Sequence, residues 1–243
     1  MRSGNPSLND KIFRGTLGET TERMTINGTV NKTMLLLTIC VAAAAWTWGR
    51  FFGSGPQSIQ GVVGLGAIAG LVVAMVTVFK QTWAPYTAPL YALFEGLFIG
   101  GFSALMEARY PGIVIQAVGL TFGTLLCLLG AYKSGFIRAT ENFKLGVVAA
   151  TGGIALLYLV QIGLHFFGKG IPFIHQSGTA GMLFSAFVVV IAALNLVLDF
   201  DYIERGAEAG APKYLEWYGA FALLVTLVWL YLEILRLLGK SRD

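Results

Sequence analysis

The stretch from Phe51 to Phe79 contains no charged side chain. About 20 mostly apolar residues in a helix are enough to cross the hydrocarbon core of a bilayer. The whole chain of 243 residues is only 12% charged, whereas a soluble domain carries roughly 25% charged residues. Such a chain cannot cover an ordinary solvated surface. The sequence therefore predicts an integral membrane protein.

Seven apolar stretches are long enough to span a membrane. They do not alternate in the way that the strands of a membrane barrel do, and turn-forming residues separate several of them. The predicted spans are 33–52, 59–79, 86–106, 111–132, 145–167, 178–199 and 216–238. We therefore predict an all-α membrane protein, with a polar segment 1–32 followed by a seven-helix transmembrane domain 33–239.

Basic residues in the loops predict the orientation, because Lys and Arg are enriched on the cytoplasmic side. The larger set is formed by Arg2, Lys11, Arg14, Arg23, Lys32, Lys80, Lys133, Arg138, Lys144, Arg205 and Lys213. The opposite side has Arg50, Arg109, Lys169, Arg236, Lys240 and Arg242. This bias places the N-terminus in the cytoplasm and the C-terminus outside.

Glycines at small-xxx-small spacing predict close packing between the spans. Three such pairs are Gly66/Gly70, Gly96/Gly100 and Gly119/Gly123. We interpret them as helix contacts of a compact bundle, since the chain shows no internal repeat of the kind that marks many transporters.

Charged residues inside spans are costly and mark functional sites by default. Glu95 lies near the middle of the third span with no opposite charge one turn away, so it is either protonated or paired from another helix. Asp199 and Asp201 end the sixth span, and Asn195 shares a helix face with Asp199. For Asp201 a solvated position at the helix end is the alternative to a functional one.

Three more charged residues lie at or near span ends. Glu216 begins the seventh span, where we expect only a carboxylate favoured by the helix dipole. Glu233 lies late in that span. Lys80 closes the second span on the same predicted side as Asp199, where it either pairs with that acid or extends its ammonium group to the membrane interface.

Known catalytic and nucleotide-binding patterns do not appear. The chain has no HExxH, GxGxxG, P-loop or GxSxG pattern, so we expect neither an enzyme nor a bound cofactor. The net charge of +4 lies in loops and tails, as membrane topology requires, and does not indicate nucleic-acid binding.

Several stretches together resemble the Bax inhibitor-1/YccA family of seven-span proteins, most closely its bacterial branch. They are Met24–Thr33 before the first span, Tyr91–Gly100 in the third, Leu198–Glu204 ending the sixth, Glu216–Phe221, and Trp229–Leu238 in the seventh. The resemblance implies six helices around a central seventh, in a bacterial inner membrane. It also implies a pH-sensitive leak of Ca²⁺.

The resemblance further implies a pair of acids that share a proton, one ending helix 6 and one in helix 7. Asp199 matches the first acid and Glu233 the second, while Lys80 stands near a position where relatives have an arginine lock. Helix geometry opposes the pairing. Glu233 lies seventeen residues after Glu216, about 25 Å along the helix, toward the face opposite Asp199. Glu95, at mid-depth, is the alternative second acid.

Two functions follow from this sequence. The first is a calcium leak channel or transporter gated by protonation, with oxygen ligands for Ca²⁺ from Asp199, Asp201, Glu95 and Asn195. The second is a non-conducting regulator of a membrane-bound protease, which the polar N-terminal segment would contact. We expect a monomer in the lipid bilayer.

Overall fold

A computed structural model describes residues 23–166 and 178–242, with the side chains of residues 165 and 166 outside the description. The described residues form seven helices long and apolar enough to cross a membrane, which confirms the predicted fold class. The helices are α1 Ile26–Ser54, α2 Gln60–Phe79, α3 Ala84–Arg109, α4 Ile113–Lys133, α5 Glu141–Phe166, α6 Thr179–Glu208 and α7 Tyr214–Lys240. Short 3₁₀ turns, Pro56–Ile59 and Gln81–Trp83, precede α2 and α3.

The helix ends extend beyond the apolar runs that predicted them. Helix α1 begins at Ile26 because Thr25 caps it, its hydroxyl accepting a hydrogen bond of 2.9 Å from the Gly28 amide. The last part of the predicted polar segment, residues 26–32, is therefore helical. Residues 1–22 of that segment and residue 167 of the fifth predicted span lie outside the described residues.

Helix α6 does not end at Asp199, as predicted, but continues to Glu208. An ion pair between Asp201 and Arg205, four residues apart, supports the added turns. The chain then turns at Gly210, whose φ of 63° is in the left-handed region that terminates helices. Both acids of this stretch consequently lie within a continuous helix.

Helix α7 is the most buried of the seven. Of the most apolar stretch of each span, 61% is buried in α7 and between 17% and 39% in the other six. Helices α1, α3, α4 and α6 pack directly against α7, whereas α2 packs on α3 and α5 packs on α6. The structure thus places four helices packed closely on α7 and two further out, of which α5 reaches α7 through the Tyr158 side chain.

Candidate functional site

Asp199 lies in the contact between α6 and α7. Its neighbours Leu196 and Phe200 belong to the main apolar core, and the Thr226 side chain of α7 interacts with its carboxyl group. The oxygen Oδ2 is buried and has no hydrogen-bond partner among the described residues. A carboxyl group in such surroundings is stable as the neutral acid, or as the anion only when a cation or donor approaches it.

Glu233 is buried at a different level of the bundle. Its Oε1 accepts hydrogen bonds from the Tyr158 hydroxyl of α5 at 2.9 Å and from Arg236 Nη1 at 2.7 Å. Arg236 also donates to the Tyr158 hydroxyl at 3.0 Å. The residue of α7 that interacts with Asp199 is Thr226. Glu233 lies seven residues after Thr226, which is about 10 Å along the helix at 1.5 Å per residue.

The acid pair implied by the family resemblance is therefore not formed between Asp199 and Glu233. The residue of α7 that interacts with Asp199 is Thr226, while Glu233 is neutralised by Arg236. The cause is the helix geometry that placed Glu233 toward the opposite end of the span. Glu233 keeps one buried oxygen, Oε2, without a hydrogen-bond partner among the described residues.

Glu95 faces another part of the bundle. It is half-buried on α3, and it interacts with the Tyr91 hydroxyl one turn earlier. A Cβ atom placed on Gly70 of α2 would lie 3.4 Å from Glu95 Oε2, so the carboxyl group packs against the glycine face of α2. Tyr91 in turn packs edge-on against Phe221 of α7, with ring centroids 5.0 Å apart.

Asp201 and Asn195 both face α5. Asp201 accepts from Lys144 Nζ at 2.7 Å and from Arg205 Nε at 3.1 Å. The Asn195 amide donates to Thr151 Oγ1 at 2.8 Å and to the Ile191 carbonyl oxygen at 2.8 Å. Asp201 is thus an ion-paired residue within α6, which differs from the expected solvated helix end.

Lys80 is exposed at the end of α2 and forms no ion pair with any described residue. Of the two predicted alternatives, pairing with Asp199 or extending to the interface, only the second agrees with this position.

Within residues 23–166 and 178–242, no group of three or more His, Cys, Asp or Glu is arranged to hold a metal ion. The predicted metal ligands Asp199, Asp201 and Glu95 accordingly form no joint site.

Glu216 has a role that the sequence analysis missed. It is 2% exposed and accepts hydrogen bonds from the Thr25 amide at 2.8 Å and the Thr25 hydroxyl at 2.9 Å. It also forms an ion pair with Lys32. A Cβ atom on Gly28 would lie 2.2 Å from Glu216 Oε1, so a larger residue there would displace the carboxylate from this position. Beyond its favourable place at the helix start, Glu216 fastens α7 to the beginning of α1.

The signal for this contact was present in the sequence. Thr25, Gly28 and Lys32 are three and four residues apart, so they share one face of α1. That face combines a capping hydroxyl, a residue without a side chain and a cation, which together suit a buried carboxylate. The sequence could not indicate which of the acids would occupy it.

An apolar cavity of about 390 Å³ lies between α1, α3, α4 and α7. The Ser103 and Tyr231 hydroxyl groups, 2.6 Å apart, form a buried hydrogen bond in its wall. None of the predicted site residues lines this cavity. It is therefore separate from the carboxyl groups described above.

The fold and the buried charges define a multi-pass helical membrane protein. The model of a protein family described as Bax inhibitor 1 like matches residues 5–243, and the chain belongs to that family. Comparison with curated proteins and with solved structures gives no match.

Proposed function

We propose that this protein is a pH-sensitive calcium leak channel or transporter of the inner membrane, with Asp199 as its principal gating group. The observation that carries the proposal is the Asp199 carboxyl group between α6 and α7, with a buried oxygen that lacks a hydrogen-bond partner among the described residues. Ionisable groups in such positions mark ion pathways in membrane proteins. Membership of the Bax inhibitor 1 like family supports this assignment.

Protonation would act on the contact between α6 and α7. A neutral Asp199 suits the apolar core and the Thr226 hydroxyl beside it. A charged Asp199 needs a cation or water, which favours separation of the two helices and entry of a hard cation such as Ca²⁺. Because Asp199, Asp201 and Glu95 form no joint metal site among the described residues, the ion would meet few oxygens at a time. Contacts of this kind favour weak binding, as a leak requires.

The proposal is tested by reconstituting the protein in liposomes and measuring Ca²⁺ flux across a pH series. Asn at position 199 mimics the protonated carboxyl group at every pH. We therefore expect the flux of Asp199→Asn to stay at the acid-side level of the unmodified protein throughout the series. Glu208→Gln is the matched control, since Glu208 is an exposed acid on the same helix. An unchanged pH profile in Asp199→Asn contradicts the assignment of the gate.

A second candidate function is a non-conducting regulator of a membrane-bound protease. It is favoured by the docking of the N-terminal segment, where the Met24 amide donates to the Ala211 carbonyl oxygen at 2.7 Å and Arg23 pairs with Pro212. The segment is thereby attached to the α6–α7 connection. Under this proposal, deletion of residues 1–22 abolishes capture of the protease and leaves any Ca²⁺ flux intact. Retained capture rejects it.

A further inference from the structure

Helix α5 presents polar side chains at regular intervals along one face. Lys144, Thr151 and Tyr158 are each seven residues apart, which places them on the same side of a helix about 10 Å from one another along its axis. Each of them has a polar partner on α6 or α7. We call this line of three polar contacts the α5 seam.

The first contact lies at the beginning of α5. Lys144 pairs with Asp201 at 2.7 Å, and Asp201 is also bound by Arg205 at 3.1 Å. Arg205 Nη2 lies 3.6 Å from Glu141, the first residue of α5. Two cations and two acids therefore join the start of α5 to the end of α6, with no net charge.

The second contact lies near the middle of α5 and α6. The Asn195 amide donates to the Thr151 hydroxyl at 2.8 Å, so this level contains neutral groups with oxygen atoms. Asp199 lies one turn from Asn195 on the same face of α6. The proposed gating acid therefore lies along α6 between the first and second contacts of the seam.

The third contact lies toward the end of α5. The Tyr158 hydroxyl donates to Glu233 and accepts from Arg236, and these two residues of α7 are themselves paired at 2.7 Å. Glu233 retains a buried oxygen, Oε2, that has no hydrogen-bond partner among the described residues. A second charge-balanced group thus closes the seam about 20 Å from the first.

The apolar packing of α5 is weak between these contacts. Its described neighbour is chiefly α6, and the apolar cluster on this side is small, with Ile154, Val188 and Ile191 as its buried members. Gly146, Gly152 and Gly153 are exposed and add no close packing to this contact. Polar contacts therefore carry much of the attachment of α5.

We propose that the α5 seam is the hydrated path by which the ion crosses the protein. The two charge-balanced groups, around Asp201 and around Glu233, are its end gates. The oxygens of Asp199, Asn195 and Thr151 line the path between these gates. This inference rests on the proposed leak function and adds the route and the moving element, α5. Polar groups that recur through the depth of a span are costly unless they face a partner or a water-filled path. The seam contacts supply the partners in the closed form, and water would replace them when α5 moves outward.

Thiol accessibility tests the seam independently of transport. The reactive species of cysteine is the thiolate, which forms in water and not in hydrocarbon. In a background with Cys40→Ala and Cys127→Ala, Thr151→Cys is compared with Ala149→Cys, since Ala149 is exposed two residues earlier on the opposite face of α5. The probe is a small cationic methanethiosulfonate applied to proteoliposomes. Asn195→Cys, with the exposed Val190→Cys as control, repeats the test on α6.

We expect Thr151→Cys to react at least on the order of tenfold faster than Ala149→Cys, and its Ca²⁺ flux to fall once it is labelled. If the introduced cysteines react equally slowly within each pair, Thr151 with Ala149 and Asn195 with Val190, the seam is not a hydrated path. If the protein still conducts Ca²⁺ in that case, the proposed leak stands but uses another route. Fast labelling in a protein that shows no Ca²⁺ flux rejects the calcium leak, while the seam remains as a hydrated path for another solute. The two proposals therefore fail in distinguishable ways.

Discussion

The buried acids of this protein differ in how their charge is compensated. Glu216 has an ammonium group, an amide and a hydroxyl as partners, whereas Asp199 has an oxygen without a hydrogen-bond partner among the described residues. A buried carboxylate with several donors stabilises the fold, and one without them is available for protonation or ion contact. Sequence position alone identified Asp199 as a candidate because it stands within an apolar run, but it missed the partners of Glu216, which stands at a helix start.

Removal of the Glu216 carboxylate is expected to destabilise the protein strongly. Glu216→Ala leaves Lys32 without its partner and deprives the Thr25 amide and hydroxyl of their acceptor. Breaking a buried pair in this way costs about 3 kcal/mol or more. The measurement is the unfolding free energy from titration of detergent-solubilised protein with a denaturing detergent.

Glu208→Ala is the control for that measurement, because Glu208 is an exposed acid near the same end of the bundle. A change within about 0.5 kcal/mol is expected for it, as for most surface substitutions. Equal losses in the two variants would show that Glu216 does not fasten α1 to α7.

The residues that carry charge could be selected from the sequence, but their partners could not. Glu95, Asp199 and Glu233 stand out as acids in apolar runs, and the structure places all three within spans. The partner of Glu216 is 191 residues away in the chain, and no local pattern identifies a contact at that separation. Helix geometry had already opposed the Asp199–Glu233 pair that the family resemblance implies, and the structure agrees, because Glu233 lies about 10 Å along α7 from Thr226, the residue that interacts with Asp199.

At the scale of the helices, apolar length predicted every span and glycine spacing predicted part of the packing. The pairs Gly66/Gly70 and Gly96/Gly100 lie in close helix contacts, against α3 and α1 respectively. Around Gly119 and Gly123, in contrast, a Cβ atom would meet no described residue within 4 Å, so the third predicted contact is not formed within the described part of the chain. Spacing shows that a helix face is small, but it does not show whether another helix covers that face.

The same pairs give a prediction about how α1 and α3 pack. A Cβ atom on Gly100 would lie 2.3 Å from the Ala44 carbonyl oxygen and 2.6 Å from Ala44 Cα, and backbone atoms cannot rotate away. We expect Gly100→Ala to lower the unfolding free energy by about 1–3 kcal/mol, the usual cost of overpacking.

Gly119→Ala is the matched control in α4. It adds the same methyl group in open space, and should be neutral or stabilising by up to about 1 kcal/mol through helix propensity. Both values come from the same denaturing-detergent titration. A Gly100→Ala variant as stable as Gly119→Ala would mean that α1 and α3 do not approach as closely as described.

At the scale of the whole molecule, α7 acts as the common support and α5 as the outlying helix. Four helices pack on α7, and the Glu216 contact fastens α1 to its beginning. The Lys240 ammonium group fastens the other end to α6, with bonds of 2.9 Å to Ser185 Oγ and 3.1 Å to the Gly181 carbonyl oxygen. A rigid centre of this kind allows a peripheral helix to move without loss of the fold.

The orientation of this assembly in the membrane is the remaining prediction. Seven spans place the ends of the described chain on opposite faces, and the Lys and Arg bias assigns the α4–α5 connection, with Lys133 and Arg138, to the cytoplasm. In a bacterial host, a fluorescent protein fused after Ser134 should be bright, and alkaline phosphatase fused after Asp243 should be active. A bright C-terminal fluorescent fusion together with an inactive phosphatase would reverse the orientation. The charged contact around Asp201 would then be the outer gate of the seam, and the one around Glu233 the inner gate.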